Sequence, residues 1–263
     1  MEYKGLMGGF YKITEWIMRI SGSNLLWMIC SLPFMFFLMT WLLSPDAIVR
    51  DQTLLFMAVL APFTLFPATA ALFSVARKWV MGESDLSVFK VYFKGYKENY
   101  KQSMFGGIFY TLLIVIMVVD YNVYMKQFEN LQIIGMIMLV FLLILSVSLF
   151  NFFSLVSHYH LKVILLIKNS ILLTIISPLR VIYTVITTIA LALITVKFPW
   201  LIMFGFGSLT AYIAFYNFYR AYTKLQAKAE KMQENDGGID NPEQVEDGNT
   251  ALQLPGENDS KKL

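Results

Sequence analysis

Long apolar runs alternate with short polar interruptions along this chain, and the runs are too long for strands or ordinary core helices. Largely uncharged stretches fall at Asn24–Leu43, Thr53–Ala76, Met104–Met125, Leu131–Tyr159, Ser177–Val196 and Trp200–Tyr219. A helix rises 1.5 Å per residue, so about 20 residues cover the roughly 30 Å of hydrocarbon in a bilayer. The pattern predicts an all-α polytopic membrane protein, a bundle of about six transmembrane helices within residues 24–234. Ahead of it, Phe10, Ile13, Trp16, Ile17 and Ile20 recur at helical spacing among Lys4, Lys12 and Arg19. Residues 1–23 are therefore predicted to form an interfacial amphipathic helix ended by Gly22. The run that follows exceeds a signal-peptide h-region and lacks a small-residue cleavage site, so it reads as a retained span. Residues 235–263 are rich in Asn, Asp, Glu and Gly without periodicity, which predicts a disordered acidic tail beyond a helix reaching to about Glu234.

Proline and small residues modify this picture. Pro33 is expected to kink the first span, and Pro62 and Pro67 the second, each removing a backbone donor. Thr64 and Thr69 are the nearest groups able to satisfy the freed carbonyls. Ala68, Ala70 and Ala71, with Thr69 between them, form a patch that permits close helix approach, as do Gly205 and Gly207. The polar second half of the fourth run (Ser146, Ser148, Asn151, Ser154, Ser157) predicts interhelical hydrogen bonds.

Charge supplies orientation. Of 21 Lys and Arg residues, Arg50, Lys126 and Lys197 fall in loops on one side, and the other eighteen fall on the side of the termini. The positive-inside rule then places both termini in the cytoplasm.

The densest positive cluster follows the second run. Arg77 and Lys78 mark its exit, Gly82 turns the chain, and Ser84 or Asp85 is positioned to cap a helix. Projected at 100° per residue, Lys90, Lys94, Lys97 and Lys101 fall within a stripe about 60° wide. Phe89, Tyr92, Phe93, Tyr96 and Tyr100 occupy an adjoining face. The pattern predicts a cytoplasmic amphipathic helix in the membrane interface, aromatics down and ammonium groups toward anionic headgroups. Arg77, Lys78, the four lysines, Phe89, Tyr92 and Tyr96 are the candidate lipid or partner contacts.

Composition closes off several classes. The chain is 57% hydrophobic and 15% charged, against about 25% charged in soluble domains, and its mean hydropathy is +0.59. The single Cys30 lies in an apolar run and reads as a packing residue. His158 and His160 have no acid or cysteine nearby, lie two apart on a helix, and read as histidines at the membrane surface. Asp120 falls late in the third run, near the far interface. No H-E-x-x-H, G-x-S-x-G or P-loop is present, so neither cofactor, metal site nor enzyme activity is expected. Basic and aromatic residues also mark nucleic-acid binders, but a segment tethered between two spans is not such a surface. The expected partners are the bilayer and a second membrane protein, with oligomeric state left open.

The stretch Pro67-Ala68-Thr69-Ala70-Ala71-Leu72, followed by Arg77-Lys78-Trp79, Gly82-Glu83 and Phe93 through Tyr100-Lys101-Gln102, resembles the YesL family of bacterial integral membrane proteins. That family has no assigned function. Its pattern carries glycine before the Pro-Ala-Thr-Ala-Ala-Leu run, where this chain has Phe66, which argues against a glycine contact at that point. Ser177-Pro178-Leu179-Arg180 sits where the family has a proline-containing span start. Family members occur beside carbohydrate ABC transporters, glycan-degrading enzymes and two-component sensors, so the resemblance implies an accessory role in saccharide uptake or sensing. It carries no catalytic residues. The alternative is a small-molecule permease in its own right, suggested by the proline-broken first two spans.

Overall fold

The computed structural model describes residues 6–83, 87–126 and 131–236, which form helices and their connections with no strand among them. Among the described residues ten helices follow in order: α1 Leu6–Cys30, α2 Leu32–Leu43, α3 Ala47–Leu60, α4 Leu65–Val80, α5 Val88–Lys126, α6 Gln132–His158, α7 Val163–Ile176, α8 Pro178–Lys197, α9 Trp200–Phe204 and α10 Phe206–Asp236. The helices, their apolar exteriors and the lack of strands among the described residues define a polytopic all-α membrane protein. α5 and α6 are each long and apolar enough to cross a bilayer, and the number rises to four if α1–α2 and α3–α4 each count as one broken span. The Ser84–Asp85 cap, the turn after Lys126 and the acidic tail beyond Asp236 lie outside the described residues; residues 235 and 236 still belong to α10.

Proline decides where the first two runs break. α1 runs through Gly22 and ends at Cys30, so the expected interfacial helix and the start of the first span are one element. Pro33 cannot donate to a carbonyl one turn back, and α2 leaves α1 at 85°. Just before the break, Ser31 donates its Oγ to the Trp27 carbonyl at 2.6 Å, which also accepts the Ser31 backbone N–H. Pro62 stands in the turn between α3 and α4, which are bent by 57°. Pro67 falls in the first turn of α4, where no intrahelical donor is needed. The carbonyl one turn before it, Phe63, instead accepts from the Tyr100 hydroxyl at 3.3 Å. Thr64 and Thr69 serve other carbonyls, those of Leu60 and Leu65.

The expected second span is thus two unlike helices. α2 and α3 pair with each other, with Phe37 stacked on Phe56 at 5.0 Å, and are otherwise largely exposed. α4 is a core helix: eleven of its sixteen residues are buried, with Ala68, Ala70 and Ala71 fully so. α5 runs antiparallel along it. Tyr92 bonds the Ala68 carbonyl, Asn99 bonds Ser74, and Gly107 faces Phe66 and Pro62. The contact there does depend on glycine, carried by the opposite helix: a Cβ on Gly107 would stand 2.8 Å from Phe66 Cγ. Phe66 is buried, and its ring packs on Phe153.

α5 then continues into the hairpin with α6. Tyr110 is the polar joint of this region, its hydroxyl 2.8 Å from Ser148 Oγ on α6 and 2.7 Å from Ser170 Oγ on α7. Asn151 donates to Thr174 of α7 at 2.9 Å. α7 itself falls between the fourth and fifth apolar runs, where the sequence pattern predicts no span. Its buried Leu166, Asn169, Ser170, Leu173 and Thr174 turn inward at helical spacing. Tyr110→Phe is expected to cost about 1 kcal/mol by removing the hydroxyl that bridges Ser148 and Ser170, although the two serines keep a bond to each other and one to the Ile167 carbonyl. Ser146→Ala should change stability by less than about 0.5 kcal/mol, because Ser146 is exposed and bonds only its own helix. Reversible unfolding in mixed micelles measures both.

Candidate functional site

The lysine-rich segment forms the first third of α5, a helix of 39 residues and hence about 58 Å at 1.5 Å per residue. This length corrects the expectation of a separate helix lying in the membrane plane, since the segment continues without interruption into the spanning part. Between Lys101 and Lys126 the only charge is Asp120. That interval matches the hydrocarbon, and it puts Lys90, Lys94, Lys97 and Lys101 beyond it. Asp120 itself is half-buried, about one and a half turns before the helix end.

The faces of this third also differ from expectation. Tyr92 is fully buried, with its hydroxyl 3.2 Å from the Ala68 carbonyl and within reach of the Cys30 thiol. It is a packing residue and cannot meet lipid or a partner. Gly95, Asn99 and Ser103 continue the same inward face. A Cβ on Gly95 would stand 2.6 Å from Ser74 Cβ, so the two helices touch backbone to side chain. Phe89 and Phe93 remain outside, rings 4.7 Å apart, and Tyr96 is half-buried against Tyr100. All four lysines are exposed, and Lys94 pairs only loosely with Glu98 at 3.8 Å. The result is a rigid cationic ridge, clamped from behind by α4.

Arg77 and Lys78 do not join that ridge. Lys78 is held by both carboxylate oxygens of Glu83 at 2.8 Å. Arg77 turns inward and donates Nη1 to the Ser157 carbonyl at 2.8 Å. It thereby places a cation on the C-terminal end of α6, where the helix dipole is negative. Glu83 and Glu98 lie close enough for their charges to act on it.

His158 follows Ser157 and is half-buried, with its Nδ1 turned inside. Its ring is enclosed by Tyr159 at 4.5 Å and by Phe215, Phe218, Tyr219 and Tyr222 of α10 at 6.2–6.5 Å. Burial, and then the Tyr222 hydroxyl, hold the Tyr159 hydroxyl above its ordinary range. His160 is exposed two residues on. No group of three metal-ligating side chains occurs among the described residues. The Arg77–His158 cluster locks α4, α6 and α10 together behind the ridge, and the isolated positions of these residues in sequence gave no hint of it.

An all-helical membrane protein with a cationic ridge beyond its apolar helices is the class these features define. The chain belongs to the family described as "Protein of unknown function, DUF624", which matches residues 20–121. It is 30% identical over 212 residues to the uncharacterized protein YteU of Bacillus subtilis (strain 168), covering 81% of this chain and 84% of that one. It is 23% identical over 223 residues to the uncharacterized protein YesL of the same organism, covering 85% and 94%. A shorter similarity, 27% over 114 residues, links it to the uncharacterized protein YesV, covering 43% of this chain and 55% of that one. No solved structure matches.

Proposed function

We propose that this protein is a non-catalytic accessory protein of the bacterial plasma membrane, with both termini in the cytoplasm. It docks through the α5 ridge on another membrane complex, of the kind that takes up or senses saccharides. The observation that carries this reading is the ridge itself. Four exposed lysines stand on a helix whose opposite face is locked by Tyr92, Gly95, Asn99 and Ser103. A preorganised charged surface loses little entropy on association and steers an acidic partner toward it. The excess of Lys and Arg on the side of the termini supports the orientation.

The test is crosslinking and co-purification from native membranes. The wild type is expected to retain a sugar-transporter permease or a sensor, and the triple variant Lys90→Glu, Lys94→Glu, Lys97→Glu to lose at least about tenfold of it, since opposed charge at an interface costs several kcal/mol. Membrane insertion should be unchanged, because none of the three side chains is buried. Full retention by the triple variant would reduce the ridge to a topology signal.

One observation favours a permease instead. The pairs α1–α2 and α3–α4 are each broken near proline, a form found in transporters whose broken helices line a substrate path. Saccharide flux into proteoliposomes, reduced by Asn151→Ala, would select that reading.

A further inference from the structure

A second polar locus lies away from the ridge, where α6, α7, α8 and α10 meet. A cavity of about 20 Å³ opens there, lined on its polar side by Asn151, Thr174, Ser177, Arg180, Thr184 and Asn217. That volume admits one small polar group. It excludes a sugar ring or any other whole ligand.

The lining carries one cation among amide and hydroxyl groups and no anionic acceptor. Arg180 stands in the first turn of α8 and donates Nη1 to Ser177 Oγ at 3.3 Å. A guanidinium carries five N–H donors, so most of its capacity remains to be met. Asn217 Nδ2 is buried and has no partner among the described residues. Asn151 Nδ2 is engaged by Thr174 Oγ1, and Thr174 in turn donates to the Ser170 carbonyl. No Asp or Glu lines the cavity. The charge acting on Arg180 is a second cation, Arg220 of α10. A half-buried guanidinium beside another cation, with no carboxylate at the site, is an unbalanced arrangement. One anionic oxygen reaching Arg180 and Asn217 together would balance it.

We propose that this cavity receives an oxygen of a phosphate-type anion, with Arg180 as the charged donor and Asn217 Nδ2 as the neutral one. Guanidinium matches phosphate oxygens in charge and in the spacing of its donors. The small volume means that the rest of the anion stays at the mouth. Both a phospholipid headgroup and free phosphate present such an oxygen, and basic recesses between membrane helices are suited to the former.

The test uses the full-length protein, delipidated in a neutral detergent, and follows its thermal unfolding. One arm compares inorganic phosphate with chloride at equal ionic strength. The other compares added phosphatidylglycerol with phosphatidylcholine. In at least one arm the wild type is expected to gain about 3 °C or more in Tm through linkage. The gain should vanish in Arg180→Gln and shrink in Asn217→Leu, which removes the donor and fills the space. A gain with phosphate assigns a soluble anion, and a gain confined to phosphatidylglycerol assigns the headgroup. If Arg180→Gln does not fold, Asn217→Leu decides by the same criterion. No gain in either arm, or an equal gain in wild type and variant, overturns the proposal.

Discussion

Asn24→Leu is expected to destabilise the fold by about 3–5 kcal/mol, the upper range for one buried residue, with a large loss of folded protein in micelles. Asn24 is fully buried and uses both ends of its amide. Its Oδ1 accepts from the backbone N–H of Gly207 at 2.9 Å and of Ser208 at 3.2 Å. Its Nδ2 donates to the carbonyls of Ile202 and Met203 at 2.8 and 2.7 Å. These groups flank Gly205, where α9 stops and α10 begins, so one side chain satisfies the break in another helix. Leucine matches the volume but strands the two N–H groups at about 1–3 kcal/mol each when buried, less what relaxation recovers. Gly207 makes the bonds possible, since a Cβ there would stand 2.9 Å from Asn24 Oδ1. Asn24→Asp should recover only part of the loss, because a carboxylate keeps the acceptors and abolishes both donors. Equal stability of Asn24→Leu and wild type in reversible unfolding would refute this account.

Gly106→Ala is expected to cost about 1–3 kcal/mol by overpacking, and Gly106→Val to prevent proper closure of the α5–α6 hairpin. A Cβ on Gly106 would overlap Cζ of Phe152 and lie 2.7 Å from both of its Cε atoms. Phe152 has no room to retreat. It is fully buried, with the Tyr110 ring at 5.3 Å and the Phe153 ring at 5.8 Å. Gly22→Ala is the control, since it also sits within a helix but nothing lies within 4 Å of its added methyl. That change should be neutral or stabilise by up to about 1 kcal/mol through helix propensity. Parallel unfolding curves for the two alanine variants would show the expected opposite signs, and identical shifts would refute the packing argument.

Much of the architecture was legible in the sequence because the bilayer imposes simple rules. Pro33 and Pro62 locate the breaks in the first two runs, since a missing N–H interrupts a helix whatever its neighbours are. The fully buried Ala68, Ala70 and Ala71 stand where a small-residue patch predicted close packing. The face of α5 was misjudged for an equally simple reason. Tyr92 and Phe89 look alike in a helical projection, yet one is buried and the other 62% exposed. A signal that separates them exists in the stripe Tyr92, Gly95, Asn99, Ser103, Gly106 and Tyr110. Its spacings of three and four carry small residues on the inward side, which mark a protein contact and not a lipid one.

The sequence by itself determined the class of protein, the helix breaks at Pro33 and Pro62, and the positive charge that sets off one side from the other. These follow from local chemistry: chain length against bilayer thickness, a missing donor at proline, the cost of burying an ammonium group. Only the tertiary structure decided which apolar face meets protein and which meets lipid, since hydrophobic periodicity answers to any apolar surrounding. It alone brought Arg77 onto the end of α6, enclosed His158 in the rings of α10, and set Asn24 across the break at Gly205. Those contacts join residues from 57 to 184 positions apart, and no local pattern encodes a partner at that distance.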